Sequence, residues 1–148
     1  MNRYVYMLAV LLISIVALGC AQSENRVSFE RIAEGIYAPF PEKAYFVIRN
    51  DTEYLEFWNK TGMIIKNPDF EKYSYLALFM GERPTGGYMI AVKEIVKEGD
   101  KVKVYIELAE PSETCFVTQE ITRPFLILRV EKIEGDVVFV EETKTINC

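Results

Sequence analysis

The sequence predicts a mainly β domain, a sandwich or partly open barrel, with one short packed α-helix. Three observations carry this. Short runs rich in aromatic and β-branched residues recur from Lys43 to Thr143. Turn signals separate them, above all Glu98-Gly99-Asp100 and Glu134-Gly135-Asp136. Only one stretch, Asn50 to Gly62, has the cap, acidic first turn and glycine stop of a helix.

Each element follows in order. Val27-Ser28-Phe29-Glu30-Arg31-Ile32 alternates imperfectly and reads as a first strand, and Ile36 to Pro41, with two prolines, as a loop. Lys43 to Arg49 is a second strand. Asn50 or Asp51 caps the helix. Tyr54, Leu55 and Trp58 share one of its faces with Phe57 adjacent, so that face is expected to hold so short a helix in place. Tyr73 to Met80 is apolar on both sides, as a central strand is. Tyr88 to Val96 follows. In Lys101 to Leu108, Val102, Val104, Ile106 and Leu108 point one way and Lys101, Lys103, Tyr105 and Glu107 the other. Phe116 to Ile121, Phe125 to Val130 and Val137 to Thr143 complete the strands. The two Gly-centred turns and the segment Gly81 to Tyr88 all read as hairpin connections, and Arg123-Pro124 as the start of an edge strand.

The chain has 148 residues, room for one domain with a real core. Residues 1–19 read as an export signal: a short basic start at Arg3, then the apolar run Val5 to Ala17, too short to span a bilayer comfortably. Ala17-Leu18-Gly19-Cys20 resembles the lipobox of secreted lipoproteins, which implies acylation of Cys20 and a tether over residues 20–26 ahead of a domain over 27–148. The alternative is ordinary signal-peptidase cleavage at Gly19-Cys20-Ala21, which releases a soluble secreted protein. Of the remaining cysteines, Cys115 and Cys148 pair most simply as a disulfide in an oxidising compartment; two buried free thiols are the alternative.

Several functions are excluded by composition. The formal net charge is −5, and basic clusters for nucleic acid are lacking. With no histidine, Ser-His, Cys-His and histidine-metal sites cannot be built. No calcium loop, P-loop or dinucleotide fingerprint is present, so no metal or cofactor is expected. Glu141-Glu142 are neighbours in a strand, face opposite sides and read as surface charge. Asn50-Asp51-Thr52 and Asn59-Lys60-Thr61 are glycosylation sequons that capping and packing explain without sugar.

The informative segment is Gly81-Glu82-Arg83-Pro84-Thr85-Gly86-Gly87-Tyr88. Pro84 fixes φ, and Gly86 and Gly87 permit a positive φ or a close backbone approach. A loop on a rigid scaffold is where binding residues collect, although turn chemistry alone also accounts for these residues. The run Phe79 to Ile90, with its core Pro84-Thr85-Gly86-Gly87-Tyr88, resembles the PrcB family, the protease complex subunit type. So do Cys115-Phe116-Val117-Thr118-Gln119, Arg123-Pro124-Phe125 and the Trp58 helix, so that the resemblance spans roughly residues 45–140. The family name derives from a lipoprotein partner of a secreted protease, and the resemblance implies a protein-binding accessory role. Pro84-Thr85-Gly86-Gly87-Tyr88 and Arg123-Pro124-Phe125 are also similar to the two binding loops of chagasin-like cysteine-protease inhibitors. There Arg83 stands for an Asn, Gly86 for a Thr and Phe125 for a Trp.

The expected function is therefore a membrane-anchored, non-catalytic protein-binding domain, an accessory or regulatory partner of an extracellular protease. Its partner-binding residues are Arg83, Pro84, Thr85, Gly86, Gly87 and Tyr88 in one loop and Arg123, Pro124 and Phe125 in another. The alternative is a cell-envelope module for a small ligand or glycan, which requires a concave site at Tyr88 and Phe125. A histidine-free hydrolase, ranked last, requires two carboxylates in a cleft.

Overall fold

The computed structural model describes residues 25–148. The export signal, Cys20 and most of the tether lie outside them. Seven strands and one helix follow in the order β1 Phe29–Gly35, β2 Lys43–Ile48, α1 Asp51–Thr61, β3 Tyr73–Met80, β4 Met89–Glu98, β5 Lys101–Pro111, β6 Phe125–Glu131 and β7 Asp136–Ile146. They form two sheets, β1-β6-β3-β2 and β4-β5-β7, packed as a sandwich that does not close into a barrel.

Strand β3 is buried along almost its whole length. Its alternate residues go to different layers. Leu76, Leu78 and Met80 enter the core between the sheets, against Val104, Ile106 and Leu108 of β5 and Ile90 of β4. Tyr75, Ala77 and Phe79 enter a second core under α1 with Ile48, Phe57 and Ile127. In that core the rings of Phe46, Phe57 and Phe79 meet at centroid distances of 5.4 to 6.4 Å. The first sheet is thus the middle of three layers, which is why β3 is apolar on both sides.

Helix α1 starts and stops as its sequence predicts. Asn50 Oδ1 accepts from the Glu53 N–H at 2.9 Å, and the Gly62 N–H donates to the Trp58 carbonyl at 2.7 Å. Its buried face differs from the expected one. Phe57 and Thr61 are buried and Tyr54 half-buried, whereas Leu55 and Trp58 are exposed. The 54/57/61 stripe carries the ring that fits among Phe46 and Phe79, and the Thr61 hydroxyl is satisfied by donating to the Phe57 carbonyl at 2.8 Å.

Three segments and the place of one strand also depart from the sequence reading. Residues 116–121 form no strand: Phe116 is fully exposed and the segment belongs to a loop tethered by the Cys115–Cys148 disulfide (Cα–Cα 5.1 Å). Gly81 to Tyr88 is a crossing from the first sheet to the second. Glu134-Gly135-Asp136 is another crossing, because β7 leaves β6 to pair parallel with β5, starting at Lys101 opposite Asp136. Glu98-Gly99-Asp100 alone is the expected hairpin. Finally, β6 is an inner strand between β1 and β3. Pro124 lies just ahead of its ladder, where a missing donor costs nothing. Asn25 and Arg26, assigned by sequence to the tether, already belong to the fold: Arg26 bridges Val96 of β4.

Replacing Phe57 by Ala should cost about 3–5 kcal/mol, whereas Leu55→Ala should stay within about 0.5 kcal/mol. Urea denaturation of the two variants checks this; the reverse order would mean that the helix packs through its other face.

Candidate functional site

The two loops that the sequence nominates are joined backbone to backbone at one end of the sandwich. Arg83 and Thr122 exchange N–H···O bonds of 2.8 and 3.0 Å. The Gly86 N–H donates to the Thr118 carbonyl at 3.0 Å, and the buried Thr122 hydroxyl donates to the Thr85 carbonyl at 2.7 Å. On the other side of the same segment, Arg123 N–H donates to the Ile36 carbonyl at 2.7 Å and Ala38 N–H to the Arg123 carbonyl at 3.0 Å. Three loops, 36–38, 82–87 and 118–124, therefore form one small platform.

The two glycines of the Pro84-Thr85-Gly86-Gly87-Tyr88 core have separate reasons. A Cβ on Gly86 would lie 2.4 Å from Thr118 Oγ1, so a side chain there requires the Thr118 hydroxyl to turn away or the loops to part. Gly87 has φ +88°, and a Cβ there would lie 2.9 Å from Val117 Cγ1.

The named residues divide between scaffold and surface. Pro84 and Gly87 are exposed, Gly86 and Pro124 buried, and Arg83, Thr85, Tyr88, Arg123 and Phe125 half-buried. Arg123 holds Glu82 through Nε and Nη2 at 3.0 and 2.7 Å. Phe125 stacks on Phe79 at 6.3 Å, and the Pro124 carbonyl accepts from the Met80 N–H at 2.9 Å. Arg83 lies over the Tyr88 ring at 5.4 Å and donates from Nη2 to the Met80 carbonyl at 3.2 Å.

Beside Arg83 stands Tyr45, whose ring meets Phe139 at 5.0 Å between β2 and β7. Its hydroxyl and Arg83 Nε are buried without a hydrogen-bond partner among the described residues. Burial first, then the nearby Glu141 carboxylate, push the Tyr45 phenol well above its ordinary value, with Arg83 opposing. Glu141 itself is held below its ordinary value by Lys43. Glu142 pairs with Lys93, so the two carboxylates serve separate ion pairs.

Sequence reasoning missed the exposed side chains of the platform and its tethered loop. Tyr37 (60% exposed), Ile121 (57%) and Phe116 (107%) are large and apolar yet open to solvent. Tyr37 also donates to Glu120 at 2.8 Å. Reading 116–121 as a strand concealed Phe116 and Ile121, and Tyr37 had no signal beyond its proline-containing loop.

Tyr88 and Phe125 share a groove of about 410 Å³ between the sheets, where the edges of β1 and β4 diverge. Glu34 and Glu107 also line it. Each is held by a cation, Arg31 at 2.8 Å and Lys93 at 3.1 Å. Among the described residues, no group of three or more Cys, Asp or Glu is placed to hold a metal ion.

In comparison with known families, residues 74–131 fit the family model described as PrcB C-terminal. The match agrees with the sequence resemblance over a narrower stretch, β3 through β6, and leaves α1 and β7 outside. No curated protein and no solved structure matches.

Two outcomes test the platform. Gly86→Ala and Thr122→Val should each destabilise the chain, the second by about 1–3 kcal/mol because the Thr85 carbonyl loses its buried donor; thermal unfolding measures both. For Tyr45, a raised folded-state pKa means its share of stability is full below pH 10 and is lost as pH rises beyond that, since the unfolded phenol ionises first. The denaturant midpoint should fall above pH 10, and Tyr45→Phe should flatten that fall.

Proposed function

We propose, from the PrcB C-terminal match of residues 74–131, that this chain is a non-catalytic protein-binding partner of an extracellular protease, held at the outer membrane face by a lipid on Cys20. The observation that carries the reading is the platform. The family-matched loop 81–88 is bonded to loop 118–124, and the joined loops and their neighbours display Tyr37, Pro84, Phe116 and Ile121. Aromatic and apolar side chains on a preformed backbone bind protein with little ordering cost. Arg83, Tyr88, Arg123 and Phe125 support that backbone and present their exposed edges. The acylated Cys20 rests on the lipobox resemblance alone; release as a soluble secreted protein is its alternative.

A second reading, a small-ligand or glycan module, draws on the groove that Tyr88 and Phe125 line. The hydrolase reading draws on Glu34 and Glu107 in that groove, but both are engaged in ion pairs.

The test is affinity capture by the full chain from membranes of its native host, with bound proteins identified by mass spectrometry. A protease should be recovered by the native chain and reduced at least about tenfold by Phe116→Ala with Ile121→Ala, exposed positions whose truncation leaves the fold intact. Cys20→Ser should move the chain from the membrane to the soluble fraction. Capture of no protease by the native chain would sink the accessory reading.

A further inference from the structure

The protein-binding reading leaves open how a partner chain is gripped, and the sheet edges bear on this. Each sheet has two open edges. Strand β1 breaks its register between Arg31 and Ala33 and carries Glu30, Arg31 and Glu34. β7 carries Glu141, Glu142 and Lys144, and β2 opens with Lys43. Bulges and charges of this kind are how edges are kept from pairing with other chains.

Edge strand β4 is treated differently along its length. At its C-terminal end the chain's own residues Asn25 to Val27 already lie on it through one antiparallel bridge, Arg26 opposite Val96. Val27 N–H donates to the Ile95 carbonyl at 2.9 Å, and Lys97 N–H to the Asn25 carbonyl at 2.7 Å. In the middle, a bulge between Val92 and Glu94 disrupts the ladder. The first four residues, Met89-Ile90-Ala91-Val92, have neither cover nor bulge. Among the described residues only β5 meets their backbone. They contain no charge and no proline.

The bridged segment departs where the edge becomes free. After Val27 the chain crosses to β6, with Glu131 N–H donating to the Ser28 carbonyl at 3.2 Å, and β1 then diverges from β4. The wedge that opens is the 410 Å³ groove, floored by Ala109, Pro124 and Phe125. Its charged residues are neutralised in pairs, Arg31 with Glu34 and Glu107 with Lys93. An uncharged, apolar occupant suits it.

We infer that the free edge Met89–Val92 binds an extended segment of the partner protein by strand addition. The segment runs antiparallel to β4, in the direction that Asn25 to Val27 already take. Its N-terminal end lies toward Val27 and its C-terminal end at Met89, beside the 81–88 loop. Four residues of edge span about 13 Å, and main-chain bonds supply affinity. Alternate apolar side chains enter the groove against Phe125 and Pro124 and supply selectivity. This rests on the protein-binding reading and names its contact.

The probe is a library of capped hexapeptides with Val, Ile or Leu at alternate positions and Thr or Ser between, titrated against the full chain by fluorescence anisotropy. Saturable binders are expected. N-methylation of the edge-facing amides of the best binder should weaken it at least about tenfold, because each methyl removes a ladder donor. Amide exchange at Met89–Val92 should slow when it binds, and Ala91→Arg should weaken it. The N-methyl comparison uses unaltered protein, so a misfolded variant cannot imitate the result. Three outcomes overturn the inference: no binder; binding indifferent to N-methylation, which makes the groove a small-ligand pocket; or protection of Met89–Val92 that grows with protein concentration alone, which places a second copy there. If the library fails while the full chain still captures a protease, the accessory reading stands and the edge assignment falls.

Discussion

Everything in this fold depends on β3 being dry on both faces. Leu76, Leu78 and Met80 close the inter-sheet core, and Tyr75, Ala77 and Phe79 close the core beneath α1. Burial of this kind is the main favourable term in folding, and here two separate cores share one backbone. The strand is flanked by β2 and β6, so its own ladder is complete and its ends are held in place. Its last residue, Met80, takes a hydrogen bond from Arg83 and gives one to Pro124, so the platform grows directly from the most buried part of the molecule.

That attachment explains why the platform loops, irregular as they are, keep a defined shape. Arg83, Gly86, Thr122 and Arg123 pair their backbone groups across the loops, and Gly86 allows the approach. The disulfide adds a second restraint, joining the 112–121 loop to the end of β7 across 33 residues, which the chain-entropy model values at about 3–4 kcal/mol. Large side chains such as Phe116 and Ile121 are thus presented on an ordered backbone. Side chains held on such a backbone lose less conformational entropy on binding than flexible ones.

Charge is distributed to a different end. Many of the charged residues form exposed ion pairs, such as Arg26–Glu94, Lys103–Glu98 and Lys72–Asp69, each worth little in water. They keep most edges and faces soluble and unattractive to other chains. The uncharged first third of β4 stands out against that background, next to the only glycine pair in the chain. The Arg83 guanidinium packs on Tyr88 and near Tyr45, at the margin of the core.

Local chemistry was legible in the sequence wherever neighbours in the chain decide the outcome. The bounds of β3, the Asn50 cap, the Gly62 stop, the alternation of β5 and the β4–β5 hairpin all follow from side-chain type and spacing over a few residues. The cysteine pair follows from counting, and the family resemblance from the run Phe79 to Ile90 with the shorter runs that accompany it. What partners each element was decided only in three dimensions. Which stripe of α1 faces inward depends on the hole left by Phe46 and Phe79, so Phe57 is chosen over Trp58. A Gly-centred turn is compatible with a hairpin or a crossing, and only the second sheet's need for a third strand sends β7 to lie parallel to β5. The sequence marked Arg83 to Tyr88 and Arg123 to Phe125 as candidates. That they share one platform, with Tyr37, Phe116 and Ile121 exposed around it, depends on contacts between segments far apart in the chain, which no local pattern encodes.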